Sequence, residues 1–351
     1  MSHHKDHTVC KRCVLDSSIS DITFNSEGCS YCEEYLTRKE NYEIQNKFSE
    51  NNLKNLIRRI KNSGKGKQYD CIVGVSGGVD SSWVLKKVID FGLRPLAVHM
   101  DNGWNSELAQ NNISNLVKTL NIDLYTHVID WEEYRNLMQS FFDADVIDVE
   151  LLYDNAMLAV NYNLASKFKI KYILGGTNQA TEGMKMPSDW NWFKYDKKNI
   201  ISISNKFSGQ KLKTFPSIGI TSFFLKEFVF KIKWISFLDY IDYRKNEALE
   251  ELTNFYSYKP YPYKHYESIF TRFYQGHILL EKFNVDKRKL HLSTLVVNGF
   301  MSREDALKDL ERIPYPSEIE LNEDKEYFLK KMEWSLEELN LYLKRKRKEH
   351  D

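Results

Sequence analysis

The densest chemistry in the chain is the run Ser76-Gly77-Gly78-Val79-Asp80-Ser81-Ser82. Two adjacent glycines let a backbone turn tightly and approach a ligand with no Cβ in the way. Three hydroxyls add hydrogen-bond donors, and Asp80 is suited to hold a magnesium ion bridging phosphates. A second group is Cys10, Cys13, Cys29 and Cys32, spaced C-x2-C-x15-C-x2-C. That spacing fits a zinc ribbon or knuckle, a closed set of four thiolates with no open position for catalysis. A disulfide pair or redox chemistry at one C-x2-C compete with that reading, and a cytosolic chain disfavours the disulfides. In so short a module the metal would supply on the order of 10 kcal/mol of folding energy. A third group is Lys264, His265, Glu267 and Arg272, which offers base, acid and anion-binding functions; singly, each is more often a surface residue.

These residues need elements to aim them. Tyr69 to Val75 is an apolar run that reads as a buried parallel strand, and Trp83 to Ile89 has the spacing of a helix behind it. Strand, glycine turn and helix is the geometry that points backbone N–H groups at a phosphate. The competing reading is an ordinary turn with Asp or Ser as the helix cap. It is not a Walker A loop, which demands a lysine absent here. The nucleotide cradle is assigned to Val75, Ser76, Gly77, Gly78, Asp80, Ser81 and Ser82.

A second strand, Arg94 to Met100, leads into Asp101-Asn102-Gly103-Trp104. Ligands of open parallel sheets bind at carboxyl ends of strands, so His99, Met100 and Asp101 are expected to meet an adenosine. A helix over 107–120, a strand over 124–129 and helices beginning near Trp131 and Leu151 continue the alternation. The strand Tyr172-Ile173-Leu174 ends in Gly175-Gly176-Thr177, a second glycine turn expected to wall the same crevice. The expected fold is a doubly wound parallel α/β sheet with an N-terminal zinc knuckle and a mostly helical C-terminal region. Its segments are residues 1–66 (knuckle and helical linker), 67–184 (nucleotide-binding α/β domain) and 185–351 (substrate or partner region).

From residue 185 aromatics mix with lysines, a pattern that binds single-stranded RNA or packs over a cleft. With 50 Lys+Arg against 49 Asp+Glu, the net charge is +1, which argues against nucleic acid. Residues 221–238 are apolar but interrupted by Lys226, Glu227, Lys231 and Lys233, which predicts a buried or interface helix. No apolar run of spanning length and no signal-peptide core occurs, so the expectation is a cytoplasmic protein with no membrane partner. Cys71, inside the first strand, reads as a small buried hydrophobe. Ser302 with Asp305 reads as a helix cap, and Trp334 to Lys348 as an amphipathic tail helix.

SGGVDSS resembles the signature of the PP-loop ATP pyrophosphatases. Taken with the cysteine knuckle, HMDNGW, LGGTNQATEG, KHYESIFTRFYQ and DKRKLHLS, the chain resembles the N-acetyl sugar amidotransferase family of bacterial surface-glycan synthesis. The resemblance implies ATP, Mg2+ and Zn2+, and conversion of a sugar's acetamido group to acetamidino. ATP would adenylylate the amide oxygen, and ammonia would displace AMP. Asp80 with magnesium would stabilise the departing pyrophosphate. Lys264 and Arg272 would meet anionic groups of ATP or of a sugar or nucleotide sugar, and Glu267 or His265 would orient substrate or move a proton. The chain has no evident glutaminase nucleophile, so ammonia would come from a partner glutaminase with a cyclase-like subunit. The rival readings are a tRNA-modifying thiolase-like enzyme and a zinc-knuckle interaction scaffold.

Overall fold

The computed structural model describes residues 7–41, 49–261 and 266–346, so Lys264 and His265 lie outside the described residues. The chain forms two compact units, interleaved in sequence where the expectation was three consecutive segments.

One unit holds residues 49–177, 193–261 and 266–269. It is built on a five-stranded sheet in the order β3-β2-β1-β4-β5. The strands are β1 (Cys71–Gly74), β2 (Pro95–Asp101), β3 (Leu124–Val128), β4 (Tyr172–Gly175) and β5 (Lys233–Ser236), and every pairing is parallel. Parallel pairing needs crossovers, and the helices between strands provide them on both faces, giving the expected doubly wound sheet. Between strands lie α3 (Val79–Asp90), α4 (Glu107–Leu120), α5 (Trp131–Asp143) and α6 (Leu151–Lys167), while α2 (Glu50–Gly64) precedes β1 and α10 (Lys245–Tyr256) follows β5; α1, α7, α8 and α9 are placed below. On one face Cys71, Val73, Ala97 and Leu174 bury against Trp83, Val84, Ile113, Leu116, Phe237 and Leu252. On the other, α6 lies across β1, β2 and β4. Ile72, Val73, Ile173 and Leu174 are fully buried, as centre strands covered on both faces require. The strand order reverses at β1, so the crevice at the carboxyl ends of β1 and its neighbours is the position where such sheets take ligands.

The 221–238 stretch departs from its expectation. After α8 (Lys197–Phe207), α9 (Ile220–Phe224) runs into a π-helical turn at Leu225–Val229. The chain then reverses at Lys231, φ 55°, and enters β5. Lys231 and Lys233 alternate with Ile232 and Trp234, a period-two pattern that serves an edge strand and not a helix.

The other unit comprises residues 7–41, 178–192 and 270–346. It is helical: α1 (Ser30–Glu40), α7 (Gln179–Glu182), α11 (Ile269–Phe273, its first residue counted with the sheet unit), α12 (Leu279–Phe283), α13 (Arg288–Val297), α14 (Arg303–Glu311), α15 (Glu318–Met332) and α16 (Leu336–Lys344). Its core is aromatic, with Phe328 in ring contact with both Phe273 and Trp334. Ser302 caps α14 by accepting from Asp305 N at 3.0 Å, as its spacing predicts. The tail helix is shorter than its pattern, ending at Lys344.

Candidate functional site

The turn after β1 delivers the residues singled out from the sequence to the N-terminus of α3. Gly77 has φ +85°, a left-handed conformation that favours glycine, and an added Cβ there would stand 2.7 Å from the Ala109 carbonyl oxygen. The N-cap of α3 is Gly78, and no side chain caps it. Helices α2, α4, α5, α8, α14, α15 and α16 are each capped by their own Ser or Asp. α3 shares the lack of a side-chain cap with α1, α6, α9, α10, α12 and α13, and differs from them in following the glycine turn at the end of β1. Neither Asp80 nor a serine therefore plays the capping part that the ordinary-turn reading requires. An uncapped N-terminus leaves its first-turn N–H groups and the positive end of the helix dipole available to an anion.

The serines shape the turn. Ser81 Oγ accepts from Ser76 N at 3.2 Å, meets Ser76 Oγ at 3.2 Å and donates to the Gly78 carbonyl at 3.2 Å. Ser82 is buried, and its N–H donates to Gly78 O in the first helical bond. The Asp80 carboxylate accepts a hydrogen bond from the Tyr243 hydroxyl. Tyr258 and Tyr261 both donate to the Gly77 carbonyl, at 3.0 and 2.9 Å. Burial pushes the Tyr258 hydroxyl well up in pKa, with Tyr261, Glu267 and Asp80 adding to it, so it stays a donor.

The second glycine turn meets the first. An added Cβ at Gly176 would lie 2.9 Å from Ser81 N and 3.0 Å from the Asp80 carbonyl carbon. Both neighbours are backbone, so only glycine allows this approach. Thr177 Oγ1 reaches Ser236 Oγ at 3.0 Å, and Gly175 packs under the Trp234 indole. The LGGTNQATEG run divides between the units after Thr177.

At the end of β2 the expectation changes in detail. His99 Nδ1 lies 3.0 Å from the Val75 carbonyl and Nε2 lies 3.2 Å from Asn105 Nδ2, so both ring nitrogens serve the scaffold. Val75 is in turn tied to β2 by its N–H to Val98 O at 2.8 Å. Met100 is buried. Asp101 Oδ1 accepts from Gly103 N at 2.9 Å and Asn105 Nδ2 at 3.2 Å. These residues fix the strand end; their side chains are aimed into the protein.

Glu267 arrives by a route its sequence neighbours do not announce. Ser106 N donates to Glu267 O at 2.9 Å, Ile269 N donates to Trp104 O at 2.9 Å, and Asn105 bridges antiparallel to Ser268. This short pairing carries the Glu267 carboxylate over the glycine turn, with Oε1 3.6 Å from the Cβ position of Gly78. Tyr153, raised by burial and then by Asp154, Glu267 and Asp101, lies in the field of the same carboxylates. Tyr258 and Tyr261 belong to the stretch from residue 185 in which aromatics mix with lysines, but neither they nor Tyr243 and Tyr153 were singled out as site residues from the sequence.

Arg272 belongs to the helical unit, where it forms a bidentate pair with Asp324 at 2.5 and 2.6 Å, and Tyr315 donates to the same carboxylate at 2.9 Å. The fold gives it a structural post within that unit.

The four cysteines are buried and converge, their sulfurs all within 4.8 Å of one another. The Cys10–Cys32 and Cys13–Cys29 pairs stand at 3.9 Å, close to the about 3.8 Å edge of a tetrahedron with Zn–S of about 2.3 Å. Arg12 N and Leu15 N point at Cys10 and Cys13 sulfur at 3.4 Å, which favours thiolates. Hydrogen bonds from the other thiols, Cys13 first, hold Cys10 down, while Cys10 first pushes Cys13 and Cys32 up. Four thiols this close do not all ionise without a cation, and the donor set fits zinc. The knuckle is locked into its own unit: Arg303 donates to the Cys10 and Cys13 carbonyls at 2.7 and 2.9 Å, and Lys289 pairs with Asp16 at 2.6 Å. From α1, Tyr35 donates to Gln179 O at 2.9 Å and Arg38 donates to Gly183 O at 2.6 Å.

Comparison with known proteins gives likenesses of three kinds. Residues 267–351 match the family described as LPS biosynthesis protein WbpG-like, C-terminal domain. Uncharacterized protein MJ1599 of Methanocaldococcus jannaschii is 35% identical over 119 residues, which is 33% of this chain and 40% of that protein. The chain thus spans about two fifths of the length of the curated relative it matches. Among solved structures, NMN synthetase from Francisella tularensis aligns at 15% identity and a TM-score of 0.31, over 60% of this chain and 96% of that one. NH3-dependent NAD synthetase from Campylobacter jejuni aligns at 15% identity and a TM-score of 0.28, over 46% and 77%.

Proposed function

Starting from the match of residues 267–351 to the WbpG-like C-terminal domain, we propose that this chain is an ATP-dependent, AMP-forming amidotransferase acting on an N-acetyl sugar. The observation that carries the ATP part is the uncapped N-terminus of α3, walled by Gly176 and held by Tyr258 and Tyr261. A cradle of backbone N–H groups with serine hydroxyls fits a departing pyrophosphate.

An amide oxygen is a poor leaving group; once bonded to AMP it leaves readily. Adenylylation of the acetamido oxygen releases pyrophosphate at the cradle, and ammonia then adds to the carbon and expels AMP, leaving the acetamidino group. Asp80, steadied by Tyr243, would hold magnesium, which neutralises charge on the phosphates. Glu267, over Gly78, is the group that takes a proton from the incoming nitrogen. Lys264 and His265 keep the anion-binding and orienting roles assigned from the sequence. Arg272, committed to Asp324, is left out of the machinery. Ammonia comes from a glutaminase partner with a cyclase-like subunit.

Release of AMP and pyrophosphate from ATP, magnesium, ammonium and a panel of acetamido sugars tests this reading. The sugar product should be lighter by the difference between oxygen and NH. Asp80→Asn should slow release by about a hundredfold or more. Absence of AMP formation with every sugar, or an Asp80→Asn variant of full activity, would refute it. The thiolase-like alternative loses its candidate sulfur carrier, because Cys71 is fully buried and its thiol is pushed up by burial.

A further inference from the structure

The α9 helix with its π turn is amphipathic in the inverted sense. Its outward face consists of Phe224, Leu225, Phe228 and Val229, and Phe230 follows; Phe228 and Val229 are 65% and 63% exposed. Its inward face buries Lys226, whose Nζ donates to two neutral oxygens, Ser166 Oγ at 3.1 Å and the Tyr162 carbonyl at 3.4 Å. Burial alone lowers the pKa of this lysine. Phe223 also turns inward, 3.9 Å from the Tyr195 ring. A segment that hides its ammonium and shows water four large apolar side chains on one face is costly when left uncovered.

The rim of this face is basic. Lys231 and Lys233 are exposed, and Glu227 is the single acid between residues 220 and 236. Lys171 Nζ donates to the Phe230 carbonyl, and Lys233 N donates to Lys171 O at 2.8 Å. Lys67, Lys169 and Lys171 form one cationic group: Lys67 Nζ donates to Lys169 O at 2.7 Å, and, after burial, the other two ammonium groups help lower its pKa. A second copy laid on this face about a two-fold axis would bring lysines against lysines. An anionic surface matches it.

We propose that the face formed by Phe224, Leu225, Phe228, Val229 and Phe230, rimmed by Lys171, Lys231 and Lys233, seats on an anionic lipid bilayer. Protruding aromatics enter the acyl boundary while flanking lysines meet the headgroups, the division of labour of an interfacial helix. No helix among the described residues is long and apolar enough to cross a membrane, so the attachment is peripheral. It replaces the expectation, drawn from the absence of a spanning segment, that no membrane is engaged.

The test is co-flotation of the full chain with vesicles of phosphatidylcholine alone and with phosphatidylglycerol added. The protein should float only with the anionic vesicles and be released by salt. Lys231→Ala and Lys233→Ala should each weaken binding about fivefold. Phe228→Ser, at an exposed position that leaves the fold intact, should lose binding at least tenfold, with circular dichroism unchanged. Equal binding to neutral vesicles, binding unaffected by Phe228→Ser, or no binding to either vesicle overturns the proposal. So does a dimer, seen by light scattering, that Phe228→Ser dissolves, for that outcome gives the face to a second copy. None of these readouts uses turnover, so the result is separate from that of the proposed reaction.

Discussion

Replacing Gly77 by alanine separates two costs that are usually confounded. The residue has φ +85°, and an added Cβ would stand 2.7, 2.9 and 3.0 Å from the carbonyl oxygen, Cα and Cβ of Ala109. The left-handed backbone alone costs a non-glycine residue about 1–2 kcal/mol. Forcing α4 away adds about 1–3 kcal/mol of overpacking. Gly66 supplies the control: its φ is +76°, and nothing lies within 4 Å of its Cβ position. Gly66→Ala therefore carries the backbone cost without the collision, and the loss of unfolded-chain entropy is common to both variants. Gly77→Ala should be the less stable by about 1–3 kcal/mol. With a slope of about 2 kcal/mol per molar, that is a urea midpoint lower by about 0.5–1.5 M. Ala109→Gly should not restore it, since the carbonyl at 2.7 Å remains. Equal midpoints for the two alanine variants, or full rescue by Ala109→Gly, would refute the reasoning.

Arg272→Ala strands a buried carboxylate at Asp324 and should cost about 3–5 kcal/mol, whereas replacing the pair by Met and Leu should cost far less; a denaturation series on both decides it. Lys226→Met should raise stability at neutral pH. The folded pKa of Lys226 is lowered, so the unfolded chain binds more protons and the penalty fades as pH rises toward the ordinary lysine pKa near about 10.4; the two melting curves should converge there. Stripping zinc with a chelator, or Cys29→Ser, should raise hydrogen exchange at 30–40 and also at 178–184, because Tyr35 and Arg38 hold that segment. Arg38→Ala with zinc retained should loosen 178–184 while leaving exchange at the cysteines unchanged.

Most of the sheet could be read directly. Ile72, Val73, Ala97, Val98, Ile173 and Leu174 are apolar because both faces of β1, β2 and β4 are covered, and a short, unbroken apolar run that ends in a glycine turn is what such a strand looks like in sequence. The cysteine knuckle was equally plain, since spacing alone dictates its geometry. β5 was missed because an edge strand only four residues long sits beside a helix of similar composition. The roles of His99 and Arg272 could not be read, because a lone polar residue in sequence looks the same whether it faces a ligand or a carbonyl. Only the contacts at Val75 and Asp324 distinguish them. The target of the tyrosines around the glycine turn could not be read for a related reason: Tyr258 and Tyr261 stand out as aromatics, but they lie more than 180 residues from Gly77 along the chain, and nothing local marks what they meet.

The helical unit draws on segments that precede and follow the strands in sequence, and this orders events on the ribosome. The cysteines emerge before the strands and are able to capture metal at once. Arg303, Lys289 and Ser293, which clasp the knuckle, are translated only after the last strand. Throughout synthesis of the sheet, the early module stands with its docking side bare, and a chain cut short before α13 yields a knuckle with no clasp to close on it.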